Sequence, residues 1–268
     1  NGELVALPDV PEVDLADENA VAAAIAAYKP HAIINAAAYT AVDKAESEPA
    51  LAFALNRDAP SAMARASATL GVSLLHISTD YVFSGDKPSP YVETDPHEPI
   101  NVYGRSKAEG ETAVLEADCD ATIIRTSWVF SADRANFLKT MLRLGDASDE
   151  VSVVSDQLGR PTSADELARA CLILTQRRIS GDKNASGIIH FAGSAETSWA
   201  DFAESIFAEA TLHGRRPVRV RRILTQDYPT PARRPANSRL NTAKIEGLGI
   251  VPAPWRDGVR KYVAELIG

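Results

Sequence analysis

What this sequence has little of narrows its function first. Cysteine occurs only at Cys119 and Cys171, without the CxxC spacing of a redox or zinc motif. Two isolated thiols argue against a disulfide-stapled secreted scaffold and fit a reducing cytoplasm. No apolar run approaches the roughly 20 residues of a membrane span, and no leader peptide is visible. Positive charge is not in surplus. The net charge is −8, which argues against a nucleic-acid partner, because phosphate backbones demand basic surface. The histidines, at 31, 76, 97, 190 and 213, show no metal-ligand spacing, so no metal site is read from them. Absent too is any Gly-x-x-Gly-x-x-Gly turn, and the chain opens Asn1-Gly2 without an initiator Met.

What is there is an ordinary globular composition, 45% hydrophobic and 24% charged over 268 residues. That length buries a sizeable core in one large domain, or in one domain plus a smaller one. Apolar runs at 3–7, 32–37, 72–77 and 121–126 read as buried parallel strands. Helical stretches separate them: 18–29, with Asp17 as N-cap and Pro30 as stop, then 48–70, broken or bent near Pro60, then the segment around 103–107. This alternation predicts a doubly wound parallel sheet. Beyond residue 130 the rhythm loosens. Helices are expected at 136–144, 163–177, 198–213 (capped by Ser198) and 255–267, short strands at 151–154 and 187–191, and a polar turn at 155–162. Residues 1–130 are the expected main α/β domain. Residues 131–268 are the expected smaller α/β carboxyl-terminal region, with some segments returning to the main sheet.

Chemistry concentrates between His76 and Glu111. The strand ending at Ile77 runs into Ser78-Thr79-Asp80, polar residues at a strand's carboxyl end, where open α/β sheets place their ligands. Tyr103 and Lys107 follow, four apart and therefore on one helix face. An ammonium beside a phenol lowers a pKa that is ordinarily about 10, which makes Tyr103 a usable proton donor near neutrality. Such a pair alone also suits a plain amphipathic helix; the hydroxyl and carboxylate at the adjoining strand tip make it a constellation. The strand 32–37 leads into Ala38-Tyr39-Thr40 after two more alanines. Small residues there let a ligand approach the backbone, or let a helix pack tightly on the sheet. Late in the chain, Arg233, Arg234 and Arg239 lie in a segment stiffened by Pro229, Pro231 and Pro235. Guanidinium forks on a rigid loop suit phosphate; a solvated surface loop is the other reading.

The run Ser78-Thr-Asp-Tyr-Val-Phe-Ser-Gly85, followed by Tyr103-Gly-Arg-Ser-Lys107, resembles the extended short-chain dehydrogenase/reductase superfamily. That implies a Rossmann-like sheet and a nicotinamide cofactor. Asn35–Glu46, Asn101–Lys107, Arg125–Val129, Asn136–Leu142, Asp156–Thr162 and Tyr228–Leu240 together resemble the dTDP-4-dehydrorhamnose reductase family, over essentially the whole chain. The resemblance implies reduction of a dTDP-4-keto-6-deoxyhexose by NADPH or NADH. It implies that Tyr103 protonates the C4 oxygen, that Lys107 holds the nicotinamide ribose and tunes Tyr103, and that Thr79 hydrogen-bonds the carbonyl. It puts Asp80, Trp128 and Asn136 on the sugar-nucleotide side, where the residues themselves suggest Arg233 and Arg234 for the diphosphate. Asp14, Leu15, Ala38, Tyr39 and Thr40 fall at cofactor-lining positions. The residue that chooses NAD or NADP follows the second strand in this family; here Leu7-Pro8-Asp9-Val10-Pro11 is unusual and does not choose. Some relatives form homodimers through a carboxylate-held magnesium. Asp165 matches one such ligand position approximately and reads also as a solvated carboxylate at a helix N-terminus.

A nucleotide-binding sheet begins with a strand, a Gly-rich turn and a helix whose N-terminus holds the pyrophosphate. The first apolar run here behaves like a second strand, with Asp9 or Glu12 just beyond it. One βα unit, about 25–30 residues, is therefore expected ahead of Asn1. Two further readings stay open. One is a sugar-nucleotide epimerase, with Tyr103 as base and a recycled cofactor. The other is a non-catalytic regulatory subunit resembling the reductase, of the kind that accompanies methionine adenosyltransferase. The Asp156–Thr162 and Tyr228–Leu240 runs favour the reductase over the epimerase.

Overall fold

The computed structural model describes residues 13–268. The strand expected at 3–7, with Asp9, Glu12 and the run 7–11, lies outside the described residues. Helix α1 (Glu18–Tyr28) starts where Asp17 accepts hydrogen bonds from the Asn19 and Ala20 amides, as the sequence anticipates. Strand β1 (Ala32–Asn35) follows, then α2 (Val42–Ala45) and α3 (Pro49–Phe53). Helix α3 joins α4 (Ala59–Leu70) through a π turn at Ala54–Asp58. The bend expected near Pro60 is this turn, placed just ahead of the proline. Pro60 has no N–H, so the Asn56 carbonyl four residues back loses its helical donor.

Strand β2 (Ser73–Thr79), α5 (Val102–Glu116), β3 (Ala121–Thr126), β4 (Val129–Phe130) and α6 (Phe137–Ala147) complete the first part. Then come β5 (Glu150–Val154), β6 (Leu158–Gly159), β7 (Thr162–Ser163), α7 (Ala164–Ile179), β8 (Gly187–His190) and β9 (Thr197–Ser198). The chain ends with α8 (Trp199–Leu212), β10 (Arg219–Ile223), α9 (Ala243–Gly247) and α10 (Trp255–Ile267).

The main sheet runs β1-β2-β3-β8, all parallel, with Asn35 opposite His76 and Arg125 between Ser78 and His190. Successive residues of β2 feed opposite faces, as the two-residue period of a strand requires. Leu74 packs with Val21, Ile25, Met63 and Ile123, while Leu75 packs with Ile124, Leu167, Leu174 and Ile189. Both faces are covered, so the sheet is doubly wound. A separate core joins α6, α8, α10 and β5 through Leu138, Val151, Phe202, Ile206, Trp255 and Tyr262.

Strand β10 pairs in parallel with β5 and has no counterpart in the sequence reading. Its arginines conceal it: Arg219 pairs with Glu150, Arg221 bonds Ser152, and Arg222 reaches Asp201 and Glu204. Charge along an outer strand blocks pairing with further chains. No helix among the described residues is long and apolar enough to cross a membrane.

Candidate active site

The site forms where the tips of β1 and β2 meet the first turn of α5. Asn101 caps that helix, its Oδ1 accepting from the Gly104 amide at 2.7 Å, while Glu46 Oε1 accepts from the Val102 amide at 2.8 Å. Two acceptors at a helix N-terminus satisfy donors that would otherwise be orphaned. Gly104 is required by proximity. A Cβ there would come within 2.1 Å of the Tyr81 carbonyl, so only glycine lets α5 press onto the 3-10 turn Asp80–Val82 that follows β2. The approach sets Tyr103 edge-on to Tyr81, with ring centroids 5.6 Å apart, and brings its phenol near the Thr79 hydroxyl.

Thr79 accepts from the Tyr81 amide and donates to Asp80 Oδ1 at 3.0 Å. Asp80 is buried, and its Oδ2 has no hydrogen-bond partner among the described residues. Burial pushes the carboxyl up to about 6, opposed by the nearby Ser238 and Thr79 hydroxyls. Ser238 belongs to the late loop, which thereby reaches the strand tip. A buried acceptor without a donor, close to a phenol, is what a hydroxylated ligand would satisfy.

The expected depression of Tyr103 by Lys107 is not what the geometry gives. Burial pushes the phenol up to about 12, opposed by the nearby Thr79 hydroxyl and reinforced by the Asp80 charge. Lys107, 1% exposed, directs its Nζ to the Ile77 carbonyl at 2.7 Å and lies 3.2 Å from His76 Nε2. Burial lowers the amine to about 8, and Glu111 one turn further along α5 opposes the shift. Tyr103 therefore stays fully protonated at neutrality, with its proton in hand.

Beneath this pair lies a charge cluster that sequence reasoning missed. Glu111, fully buried, accepts from Ser78 and from Arg125, whose Nη2 is 2.6 Å from Oε2. Burial alone would raise the Glu111 carboxyl. The bonds from His97, Arg125 and Ser78 prevail and hold it at about 2.

The β1 tip is braced by Asn56, from the π turn. Its amide accepts from Tyr39 N at 2.8 Å, donates to Tyr39 O at 3.0 Å and donates to Ser106 Oγ at 2.9 Å. Tyr39, whose hydroxyl donates to Glu48 at 2.5 Å, is thus fixed beside α5, in one cluster with Val102 and Tyr103. Ala38 is partly open and Thr40 exposed. Asp14 and Leu15 stand apart: Asp14 accepts from the Ala16 amide, and Leu15 packs into the core below β1.

On the other side, Trp128 adopts a left-handed backbone (φ 50) and stacks on Trp199 with centroids 3.5 Å apart. Gly159 lies under the ring, where a Cβ would be 2.3 Å from it. Trp199 donates to Gln157 Oε1, Gln157 to Thr225, and Thr225 to Asp156, so the Asp156–Thr162 run supports this pair from behind. The sequence marked Trp199 only as the neighbour of a helix cap. Asn136 is that cap's counterpart on α6. Its amide accepts from Lys139 N and donates to the Ser131 and Asp133 carbonyls, which leaves it shaping the loop 131–136.

The two late arginines separate. Arg234 is bound to Asp43 and Thr230, so it ties loop to helix. Arg233 is exposed with no side-chain partner among the described residues, and its carbonyl is held by Asn101. Asp165 is no free carboxylate, since it pairs with Lys261 of α10.

Comparison with known proteins agrees with this geometry. The family model for the RmlD substrate binding domain matches residues 1–267. A dTDP-4-dehydrorhamnose reductase of Sinorhizobium fredii is 51% identical over 96% of this chain and 88% of its own length. A crystal structure of dTDP-4-dehydrorhamnose reductase from Bacillus anthracis in complex with NADP superposes with a TM-score of 0.87 at 36% identity, over 96% of this chain and 88% of that one. The ortholog from Clostridium acetobutylicum gives 0.89 at 36%, over 97% and 89%. A Rossmann-like sheet carrying this Thr–Tyr–Lys group, matched from end to end, belongs to the RmlD family, that of the dTDP-4-dehydrorhamnose reductases.

Proposed function

We propose that this protein reduces the C4 carbonyl of a dTDP-4-keto-6-deoxyhexose, dTDP-4-dehydro-L-rhamnose, to the alcohol of dTDP-L-rhamnose. The single observation that supports it best is the phenol of Tyr103, which the Gly104–Tyr81 approach sets beside the strand tip that carries Thr79 and the buried Asp80 oxygen left without a partner among the described residues. A nicotinamide dinucleotide, when bound, supplies the hydride for C4. The residues present fit such a group: a strand tip of small side chains at 36–38, the exposed Thr40 and the buried amine of Lys107. Lys107 and Tyr103, with Ala38, Tyr39 and Thr40, would line it, and Asp14 and Leu15 would follow along the amino-terminal side.

Thr79 turns its hydroxyl proton from Asp80 to the substrate carbonyl and holds that carbonyl against Tyr103. The Tyr103 proton passes to the C4 oxygen as that oxygen gains charge, so the new C–H and O–H bonds replace the carbonyl π bond. Asp80 takes a sugar hydroxyl, Trp128 shelters the ring, and Arg233 meets a phosphate of the diphosphate. The relative from Sinorhizobium fredii bears the name of this reaction, and the Bacillus anthracis neighbour holds NADP; both support the reading. In the same reading, residues 1–130 serve the cofactor and 131–268 mainly the sugar nucleotide. No magnesium is added to it, because Asp165 is already engaged by Lys261.

The test is to supply full-length protein with reduced nicotinamide nucleotide and a dTDP-4-keto-6-deoxyhexose. One reduced cofactor lost per alcohol formed is expected. Product formed without loss of the cofactor's near-ultraviolet absorbance would replace the reductase by an epimerase.

A further inference from the structure

His76 lies in the middle of the sheet, fully buried, next to Lys107, and the reaction above gives it no task. Its surroundings fix its tautomer. Asn35, its register partner on β1, accepts from the Ala37 amide through Oδ1 at 3.1 Å. The other end of that amide, Nδ2, must then point at His76 Nδ1, 2.9 Å away, and Nδ2 can only donate. His76 Nδ1 is therefore the lone-pair nitrogen, and a neutral ring carries its hydrogen on Nε2.

Nε2 faces Lys107 Nζ at 3.2 Å. An ammonium has three donors and no lone pair, so it opposes an N–H directed at it. A neutral amine accepts that N–H and still donates to the Ile77 carbonyl at 2.7 Å. The contact is satisfied in only one of the two protonation states of Lys107. Burial disfavours charge on both groups and holds His76 well below the ordinary histidine range.

We propose that Asn35 locks His76 as the Nε2–H tautomer, and that His76 acts as a positioning residue favouring the neutral amine of Lys107 over its ammonium. A neutral Lys107 is free to take up a proton one helical turn from Tyr103 on α5; what that does for turnover rests on the proposed reductase reaction. The other ionisable groups in reach are accounted for. Glu111 on α5 attracts the ammonium, but Arg125 of β3, Ser78 of β2 and His97 already hold its carboxylate. Across β3 the register partner of His76 is Ile123, which has no charge. Tyr103 precedes Lys107 by one turn, and Asp80 acts on that phenol, with no influence resolved on the amine.

The experiment follows the Lys107 Nζ resonance in full-length protein labelled with 15Nζ-lysine, assigned with Lys107→Arg, across a pH titration. The wild-type amine should titrate well below the ordinary lysine value of about 10.4. Asn35→Asp keeps the acceptor for Ala37 N but puts a second acceptor at His76 Nδ1. That moves the ring hydrogen to Nδ1 and turns Nε2 into an acceptor for the ammonium, so the midpoint should rise by about one unit or more. His76→Gln, which offers an oxygen to the amine, should shift it the same way and serves if the first variant does not fold. An ordinary wild-type midpoint, or folded variants that leave it in place, would overturn the proposal. The titration needs neither substrate nor turnover, so it stands or falls separately from the reductase reading.

Discussion

Arg234 Nη2 sits 2.7 Å from Asp43 Oδ2, joining residues 191 positions apart. Asp43 also accepts from the Ala232 amide, so the proline-stiffened loop is clasped to the helix that begins just after Thr40. The arginines at 233 and 234 therefore have different tasks. Arg233→Ala should remove a charge-assisted contact to the sugar-nucleotide diphosphate, about 1.5–3 kcal/mol, and raise its KM about tenfold or more with cofactor affinity unchanged. Arg234→Ala and Asp43→Asn should resemble each other and weaken both ligands, with a stability cost of no more than about 1 kcal/mol, since the pair is partly exposed. Steady-state kinetics with each ligand varied in turn separates the two patterns.

Tyr103→Phe should lower the hydride-transfer rate by about 10²–10⁴-fold and leave nucleotide-sugar affinity nearly intact, because the phenol acts on charge that develops only in the transition state. Single-turnover rates and calorimetric binding read the two quantities. Equal turnover by mutant and wild type would remove Tyr103 from the mechanism.

Asp80 sets an acid limit. Its carboxyl is raised to about 6, and once protonated, Oδ2 loses its readiness to accept a sugar hydroxyl. The rate should fall as pH drops through about 6, and Asp80→Asn should abolish that limb while lowering the plateau. A limb that persists unchanged in the variant belongs to another group.

Glu111 governs stability instead. Its carboxyl is held at about 2 in the fold against an ordinary 4.5. A depressed acid contributes stability that is present above the unfolded value and disappears as pH falls toward the folded one. Acid unfolding should therefore steepen between about 4.5 and 2. Glu111→Gln should cost about 3–5 kcal/mol at neutral pH, because it strands buried Arg125. Denaturant melts at several pH values would show both effects.

Gly104→Ala should damage catalysis out of proportion to stability. The added methyl meets the Tyr81 backbone carbonyl, which cannot rotate aside, so the first turn of α5 must lift and carry Tyr103 with it. Displacement of about 1 Å at the reacting group is worth about a hundredfold in rate. A crystal structure of the variant should show the shift, and wild-type rates from a folded variant would sink the argument.

Much of this was legible because local rules and global fold agree. Asp17 and Ser198 cap the helices they precede, and the apolar run 72–77 is a central strand for the reason its composition suggests. The Tyr103–Lys107 spacing survived as geometry, though not as electrostatics. A four-residue spacing says which face two side chains share, not which partners each will find. Lys107 chose a carbonyl and an imidazole. What stayed hidden depends on pairings made only by topology: Arg125 with Glu111, Trp128 with Trp199, Arg234 with Asp43. Strand β10 escaped because charged side chains along an outer edge look like loop.

The π turn at Ala54–Asp58 also bears on which length changes this chain tolerates. It holds one more residue than a regular helix would use over the same rise. Deleting any one of its residues would restore regular helical winding and so escape notice by most measures of local structure. It would also remove the wide turn from which Asn56 reaches Tyr39 and Ser106 together. The same helix tolerates substitution on its solvent side, but its residue count is a functional constant. A one-residue gap there should leave both helices in place and the β1 tip without its brace.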